Sequence, residues 1–377
     1  MKYHIIAGEA SGDLHGANLV KALKVHDPAA EVRGWGGDLM IEAGAKISKH
    51  YRDLAFMGFS EVVMNLKTIL GNFDLCKKEI LDHQPDVLIL IDYPGFNLRM
   101  AKWAKKNNIR VFYYISPQIW AWHSSRAHQI KKNVDRMFVI LPFEKDFYKK
   151  YDYEVDFVGH PLLDVFDGFE ADAGFRQKYG LGDQPIIALL PGSRRQEIKV
   201  ALSIMLKMVE KFPDHQFVIA GAPSIPLDYY EAILSENAMD KNAAPVKLVQ
   251  NKTYELLSLS KAALVTSGTA TLETALLDVP QVVCYKGSPL SYFIARRLVN
   301  VKYISLVNLI LNMPLLRELI QSEFNEVELE KELGLILEHG EQVKLKMAYG
   351  LLRKELGEVG ASGRCAGLMV DYLIQDV

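Results

Sequence analysis

The sequence predicts an α/β protein built from two halves, each a parallel sheet with helices on both faces. Short apolar runs alternate with helix-length amphipathic segments, which is the rhythm of strands joined by crossover helices. The apolar runs are continuous rather than alternating, as in sheets that are covered on both faces. This alternation of strands and helices is interrupted once, by the linker from Asp164 to Gly182, and continues after it. Two such doubly wound halves place ligands at the carboxyl ends of their strands, in a cleft between the halves.

The first half, residues 1–165, is predicted to contain four buried strands. They are Tyr3–Ala7, Val87–Ile91, Val111–Ile115 and Met137–Leu141. The amphipathic segments between them include Leu14–Val25, Glu61–Leu81 and Leu98–Lys106. We therefore expect a parallel sheet with crossover helices in this half.

The second half, residues 183–325, repeats the pattern with five strands. They are Ile186–Leu190, Phe217–Ala220, Val246–Val249, Ala263–Thr266 and Gln281–Tyr285. From residue 326 to residue 377 the chain becomes charged and helical, over Glu326–His339, Glu341–Glu355 and Ser362–Ile374. We expect this tail to form a third, helical segment.

The composition excludes several classes of protein. The 377 residues are 49% hydrophobic and 24% charged, so a disordered or collagen-like chain is excluded. The formal charge of −2 argues against a general nucleic-acid binder. Three widely spaced cysteines, without a zinc-binding spacing, are expected to be reduced thiols. We expect neither a signal peptide nor a membrane-spanning helix, since no apolar run is long enough.

The first strand leads into a small-residue turn, Ala7-Gly8-Glu9-Ala10-Ser11-Gly12-Asp13. Glycine lets the backbone approach a ligand, and Ser11 and Asp13 are residue types that cap helices. Because Glu9, Asp13 and His15 lie close together where a strand ends, we expect a functional cluster here. The alternative is a tight turn before a capped helix.

Asp92 is the candidate for acid–base chemistry. It directly follows the strand Val87–Ile91 and precedes a Pro94-Gly95 turn. A carboxylate at the end of a buried strand has apolar surroundings, which tune its pKa for work as a base. The alternative is that Asp92 caps the next helix.

Two tryptophans follow the third strand of the first half. Trp120 and Trp122 come after a Ser116-Pro117 turn, which suggests stacking on a sugar ring or on lipid. The alternative is ordinary core packing, the commoner role of aromatic side chains.

The second half carries two candidate phosphate sites. Ser193 and Arg194 follow the strand Ile186–Leu190 and open a helix, where N–H groups and an arginine suit a diphosphate. The turn Ser267-Gly268-Thr269-Ala270 repeats this logic, and Glu273 then suits a ribose diol. The alternative for Glu273 is the acid of a capping box.

The sequence contains no DxD pair, no HExxH and no GxSxG elbow. We therefore expect no metal centre, and we expect arginine and helix dipoles to stabilise the leaving group.

Nine short motifs stand in the order seen in lipid-A-disaccharide synthases, which the sequence resembles over nearly its whole length. They are Ala7-Gly8-Glu9-Ala10-Ser11-Gly12-Asp13, Met57-Gly58-Phe59-Ser60-Glu61-Val62, Ile91-Asp92-Tyr93-Pro94, Ser116-Pro117-Gln118-Ile119-Trp120-Ala121-Trp122, Leu141-Pro142-Phe143-Glu144, Gly159-His160-Pro161, Leu190-Pro191-Gly192-Ser193-Arg194, Ser267-Gly268-Thr269-Ala270-Thr271-Leu272-Glu273 and Tyr303-Ile304-Ser305-Leu306-Val307-Asn308-Leu309.

The resemblance implies a glycosyltransferase-B fold with two Rossmann-like halves. It implies transfer of 2,3-diacylglucosamine from UDP-2,3-diacylglucosamine to the 6-hydroxyl of 2,3-diacylglucosamine 1-phosphate (lipid X), with inversion and release of UDP. The family needs no metal or other cofactor. The expected location is the cytoplasmic face of the inner membrane of a Gram-negative bacterium, as a peripheral protein.

The resemblance also implies roles for the candidate residues. Asp92 matches the essential aspartate and is the expected general base, with Glu9 as the other candidate. Arg194 is expected to hold the leaving diphosphate, beside Ser193. Glu9 and Asn308 are expected to position substrate. The UDP-binding element is expected to comprise Ser267, Gly268, Thr269, Ala270 and Glu273.

The lipid substrates that the resemblance implies give a second interpretation of an apolar stretch, Phe56–Phe73. It is either a core helix or an acyl-chain groove facing the membrane, with Lys67, Lys77 and Lys78 meeting anionic headgroups. In the second case substrate contacts come from Phe56, Met57 and Phe59, in addition to Ser11, Asp13, Trp120 and Trp122.

Two other functions remain open from the sequence. One is a transferase or epimerase of the same fold that uses a UDP-sugar and a soluble partner substrate. The other is a UDP-sugar-binding protein without catalysis. The expected partners are the two lipid substrates and the membrane surface, and no nucleic acid is expected. We also expect that a homodimer could form through the helices after Glu326.

Overall fold

The computed structural model describes residues 1–54, 66–237, 246–288, 292 and 301–375. The chain divides into two compact units. Unit 1 comprises Met1–Val165 and Leu356–Val377, and unit 2 comprises Phe166–Glu355.

Unit 1 contains a parallel sheet in which seven strands are described, in the order β3-β2-β1-β4-β5-β6-β7. The strands are β1 (Lys2–Ala7), β2 (Glu31–Gly36), β3 (Lys46–His50), β4 (Val87–Ile91), β5 (Val111–Tyr114), β6 (Arg136–Val139) and β7 (Asp156–Phe157). The chain first proceeds from β1 to β3 and then returns to the other side of β1. The strand order therefore reverses between β1 and β4, where open α/β sheets bind their ligands.

The helices that follow these strands pack on the sheet through their apolar faces. They are α1 (Ala10–His26), α2 (Asp38–Glu42), α3 (Leu66–His83), α4 (Pro94–Lys106), α5 (Ile119–Trp122), α6 (Ala127–Asn133), α7 (Phe143–Lys149) and α8 (Leu162–Phe166). The five residues of β4 are fully buried, as in a strand with helices on both faces. One core cluster packs Leu88 and Leu90 with Tyr113 and Met137.

Unit 2 contains a second parallel sheet, in which six strands are described, in the order β10-β9-β8-β11-β12-β13. They are β8 (Ile186–Leu190), β9 (Gln216–Gly221), β10 (Lys247–Gln250), β11 (Ser260–Thr266), β12 (Gln281–Tyr285) and β13 (Glu318–Ile320). Here the order reverses between β8 and β11.

The helices of unit 2 alternate with these strands. They are α9 (Phe175–Lys178), α10 (Arg195–Met205), α11 (Met208–Lys211), α12 (Leu227–Glu236), α13 (Thr253–Ser258), α14 (Thr269–Leu276), α15 (Leu306–Leu311), α16 (Glu326–Leu337) and α17 (His339–Glu355). The last helix, α18 (Ala361–Gln375), belongs to unit 1 and contacts α1. The three helices after residue 326 are thus shared between the two units.

The predicted α/β fold class is confirmed, and each of the nine predicted strands is present with its ends within three residues of those expected. Four strands were not predicted: β2, β3, β7 and β13. They are short or carry charged residues such as Arg33 and Lys46, so they lack the apolar run that marks a buried strand. The three cysteines are free and buried.

Candidate active site

Three turns of unit 1 lie side by side at the carboxyl ends of three central strands of its sheet. Ala7, the last residue of β1, pairs with Ile91 of β4, and Ile91 pairs with Tyr114 of β5. Parallel strands in this register end together. The turns that begin at Gly8, Asp92 and Ile115 therefore lie side by side at the point where the strand order reverses.

Asp92 has an unusual backbone that its neighbours hold in place. Asp92 and Tyr93 both have positive φ angles, 42° and 48°, which non-glycine residues rarely adopt. The Asp92 carbonyl accepts hydrogen bonds from Asn97 Nδ2 at 2.8 Å and from the Tyr113 hydroxyl at 2.6 Å. Strained backbone of this kind clusters at functional sites. Tyr93 is the N-cap of α4 and Pro94 its first residue, so the alternative that Asp92 caps this helix is wrong.

The Asp92 carboxyl has the electrostatics of a general base. Its pKa is raised to about 6, mainly by burial and in second place by the negative charge of Glu9. A base whose pKa lies just below neutral pH is ionised at pH 7 and still accepts a proton readily. Glu9 itself is exposed, at the N-terminus of α1.

Gly8 makes room for the Tyr93 ring. A Cβ atom at position 8 would lie 2.3 Å from Tyr93 Cδ1, far inside contact distance. The first turn and the Asp92–Tyr93 turn therefore fit together only because residue 8 is glycine. This close packing couples the conformation of the two turns.

Asp13 and Ser11 have different surroundings. The Asp13 carboxylate is buried and accepts hydrogen bonds from the N–H groups of Gly37, Leu39 and Met40 at 2.7–3.1 Å. It caps α2 rather than α1, and both of its oxygens accept hydrogen bonds from the start of that helix. Ser11 is exposed within the first turn of α1.

The two tryptophans also diverge. Trp120 is partly buried: its Nε1 donates to Glu144 Oε1 at 3.2 Å, and its ring packs edge-on against Phe143 at 5.0 Å. Trp122 is 50% exposed and its ring lies 4.7 Å from that of His123. Trp120 therefore has the packing role given as the alternative, and Trp122 alone of the pair is open to a ligand.

Two turns of unit 2 meet in the same manner. Leu190, the last residue of β8, pairs with Val265 of β11. Gly192 has a φ of +107°, and a Cβ atom there would lie 3.5 Å from Thr266 Cγ2. The turn around Ser193 and the turn around Ser267 are thus neighbours, again where the strand order reverses.

Arg194 is the N-cap of α10, and its guanidinium is exposed and weakly paired. Its side chain is 70% exposed and its Nη1 lies 3.1 Å from Glu197 Oε1. An exposed ion pair of this type is weak, so the guanidinium can turn to a phosphate. Ser193, beside it, is exposed as well.

The turn Ser267-Gly268-Thr269-Ala270 leads into α14, and within the described part of the chain no side chain caps this helix. Gly268 is the N-cap and has no side chain. Unpaired N–H groups at a helix start bind anions. The capping-box alternative for Glu273 is wrong, because Glu273 is the fifth residue of α14 and bonds to Tyr254 instead, whose hydroxyl lies 3.0 Å from Glu273 Oε1.

Asn308, unlike Ser193 and Arg194, is buried. It is 1% exposed, on α15, and its amide group is occupied by neighbouring backbone and by Glu318. The geometry brings Asp92 close to Glu9 and brings the Ser193 turn close to the Ser267 turn. Asn308 is almost fully buried on the segment whose Ile304 carbonyl accepts a hydrogen bond from the Ser267 hydroxyl.

Three predicted substrate-contact residues, Phe56, Met57 and Phe59, lie outside the described part of the chain. Three residues that bond to predicted site residues were not themselves predicted: Tyr254, Glu318 and Glu144. Of these, only Glu144 stood in a quoted motif. Among the described residues no group of three or more His, Cys, Asp or Glu side chains has metal-binding geometry.

Known proteins resemble this chain over its full length. A sequence profile of the family described as lipid-A-disaccharide synthetase matches residues 3–367. The lipid-A-disaccharide synthase of Syntrophus aciditrophicus is 42% identical over 368 residues, which are 96% of this chain and 95% of that protein. The enzyme of the same name from Trichlorobacter lovleyi is 39% identical, covering 98% of this chain and 97% of its own.

A solved structure supports the fold. The UDP-GlcNAc 2-epimerase of Neisseria meningitidis, bound to UDP-GlcNAc, superposes with a TM-score of 0.65 at 13% identity, covering all of both chains. At that identity the likeness concerns the fold alone, which is the glycosyltransferase-B fold expected from the sequence. The profile match and the identities carry the closer assignment: the chain belongs to the lipid-A-disaccharide synthetase family.

Proposed function

We propose that the protein transfers 2,3-diacylglucosamine from UDP-2,3-diacylglucosamine to the 6-hydroxyl of lipid X, with release of UDP, as a step of lipid A biosynthesis. The observation that carries this proposal is the match along residues 3–367 to a family of this activity. The two reversal points of the sheets supply the groups that such a transfer requires, one set in each unit.

Unit 2 binds the UDP part of the donor in this proposal. The N–H groups at the start of α14 and the Arg194 guanidinium face the charge of the diphosphate, which grows as the sugar–oxygen bond breaks. Glu273 accepts hydrogen bonds from the ribose hydroxyls. Its charge is suited to a neutral diol rather than to phosphate.

Asp92 of unit 1 acts on the acceptor sugar. Its carboxylate takes the proton of the 6-hydroxyl while that oxygen attacks the anomeric carbon of the donor. The bond from this carbon to the diphosphate oxygen breaks, and its electron pair leaves with UDP. A single displacement of this kind inverts the anomeric centre, so an α-linked donor gives a β-linked disaccharide.

A cationic groove in unit 1 supports contact with the cytoplasmic surface of the inner membrane. The groove, of about 350 Å³, has an apolar part with Leu70, Phe73 and Trp103 and a basic part with four cations. The cations are Lys77, Arg99, Lys102 and Lys106. Lys77 pairs with Asp74, the one acid in the lining, so a net positive charge remains for anionic headgroups. In the described residues no helix has the length and apolarity needed to cross a bilayer.

The membrane contact is tested by sedimentation with vesicles. Lys102→Glu/Lys106→Glu should lose binding to vesicles with 30% anionic lipid, and binding to neutral vesicles should be weak for both proteins. Lys344→Glu/Lys346→Glu, which reverses two lysines of α17, is the matched control. Equal binding by the wild type and the Lys102/Lys106 variant would remove this groove from the membrane contact.

The reaction is tested with purified protein, UDP-2,3-diacylglucosamine and lipid X, with and without EDTA. We expect disaccharide and UDP in equal amounts in both arms. The same assay with deacylated substrates separates the alternatives. Equal rates with deacylated substrates would favour a transferase for soluble sugars, and UDP binding without any product would favour a binding protein.

A further inference from the structure

The segment from Tyr303 to Glu318 is held in shape by two polar side chains. Asn308 Nδ2 donates to the Leu316 carbonyl at 2.9 Å and to Glu318 Oε1 at 3.0 Å, and Asn308 Oδ1 accepts from Leu316 N–H at 2.8 Å. All these bonds are internal to the protein. Both donor hydrogens of the Asn308 amide are therefore used inside the protein.

Glu318 is the centre of this arrangement. On β13 its carboxylate is partly buried and accepts from the N–H of Ser305 at 2.9 Å and from the N–H of Ile304 at 3.0 and 3.2 Å, besides Asn308. No ion pair to Glu318 is found in the described part of the chain. Its charge is therefore balanced by backbone dipoles, and Glu318 orients the Ile304–Ser305 peptide group.

This peptide group reaches the turn that carries the candidate UDP site. The Ile304 carbonyl accepts a hydrogen bond from the Ser267 hydroxyl at 2.8 Å. Ser267 is also held from the other side, since its N–H donates to the Cys284 carbonyl at 2.9 Å. The N–H of the Ile304–Ser305 peptide group thus donates to Glu318, and its carbonyl accepts from Ser267, the first residue of the Ser267-Gly268-Thr269-Ala270 turn.

We propose that Glu318 is a positioning residue for the nucleotide: through Ile304 it fixes Ser267 and the free N–H groups at the start of α14. The inference rests on the proposed function of that turn in binding UDP. Glu318 touches no substrate in this arrangement. Asn308 works with it by donating to its carboxylate.

The first test measures UDP affinity by calorimetry. Removing a charged hydrogen-bond acceptor in Glu318→Ala should weaken UDP binding about tenfold, and Glu318→Gln should weaken it about threefold because one oxygen remains. In the transfer assay the KM for the UDP-sugar should rise by similar factors while the KM for lipid X stays unchanged. Glu323→Gln, an exposed acid near β13, is the matched control and should bind UDP normally.

The second test asks whether Glu318 acts through Ser267. In a Ser267→Ala background the further change Glu318→Gln should have little effect on UDP affinity, because the link is already broken. This comparison keeps the proposal testable if Glu318→Ala does not fold. Additive losses, or unchanged UDP affinity in a folded Glu318→Ala protein, would overturn the proposal. A wild type that binds UDP but forms no disaccharide would overturn the proposed function and leave this test intact.

Discussion

The hydroxyl of Tyr254 donates a hydrogen bond to Glu273 Oε1 at 3.0 Å, across 19 residues of sequence. The Tyr254 ring is itself held by Phe166, which packs edge-on at 4.8 Å. Burial raises the pKa of Glu273, and the hydrogen bond from Tyr254 acts in the opposite direction. Tyr254 therefore helps keep Glu273 charged, and it bonds to only one of the two carboxylate oxygens.

Tyr254→Phe should weaken UDP binding about threefold to tenfold, the net range for losing one ordinary hydrogen bond, because Tyr254 acts on the nucleotide only through Glu273. If Glu273 binds the ribose diol, the loss should be smaller for 2′-deoxy-UDP, which lacks one hydroxyl. Calorimetry with both nucleotides measures this. Tyr179→Phe, which removes a hydroxyl elsewhere in unit 2, is the control. An equal loss for both nucleotides would separate Tyr254 from ribose recognition.

Gly8→Ala should disturb the Asp92–Tyr93 turn. The new Cβ would lie 2.3 Å from Tyr93 Cδ1, so the ring must move, and forced repacking of this kind typically costs about 1–3 kcal/mol. We expect a lower free energy of unfolding in urea and a lower kcat. Gly95→Ala is the matched control: no atom lies within 4 Å of its Cβ position, so stability and activity should hold. Normal kcat in Gly8→Ala would show that this packing does not govern the site.

The pH dependence of kcat/KM should report the Asp92 carboxyl. Asp92 must be ionised to accept a proton, and its pKa is raised to about 6, so the rate should fall as the pH drops through about 6. The charge of Glu9 contributes to this rise. Glu9→Gln should therefore shift the acidic limb to lower pH, and Glu42→Gln on α2 should not. A limb that stays in place in Glu9→Gln would argue against coupling of the two carboxylates.

Asp92→Asn should stabilise the protein although it removes the base. The pKa of Asp92 is about 6 in the folded protein and 3.8 for an ordinary aspartate, so the folded protein binds more protons between these pH values and stability falls as the pH rises through them. Above pH 6 the full penalty applies, at most about 3 kcal/mol at 1.36 kcal/mol for each pKa unit. Urea unfolding should show a gain of about 1–2 kcal/mol at pH 8 that disappears near pH 4. A gain that persisted at pH 4 would have another cause, and Asp82→Asn is the control.

The sequence was sufficient for the central strands and for the turns that follow them. Buried strands such as Val87–Ile91 can be recognised because they are continuously apolar. In a parallel sheet the residue that follows each such strand lies at the carboxyl ends of the strands, where ligands bind. Strand β3 at the edge of the sheet and its neighbour β2 carry charged residues between apolar ones, so no continuous apolar run marked them.

The roles of individual polar residues depended on partners far away in the sequence. Asp13 meets the N–H groups of residues 24 to 27 positions later, and Tyr254 meets Glu273 across 19 positions. A motif gives the position of Asn308, but only the three-dimensional contacts with Leu316 and Glu318 show that its amide is already occupied. Such pairings arise from packing and have no local signature in sequence.

The central claim is that Asp92 is the base of a transfer between two acylated sugars. The most direct test is the rate of disaccharide formation by Asp92→Asn at saturating UDP-2,3-diacylglucosamine and lipid X, with UDP affinity measured on the same preparation. We predict a rate at least about 100-fold below wild type, within the range for loss of a general base, with UDP affinity unchanged. A folded Asp92→Asn protein that forms disaccharide at the wild-type rate would contradict the claim and make Glu9 the candidate base.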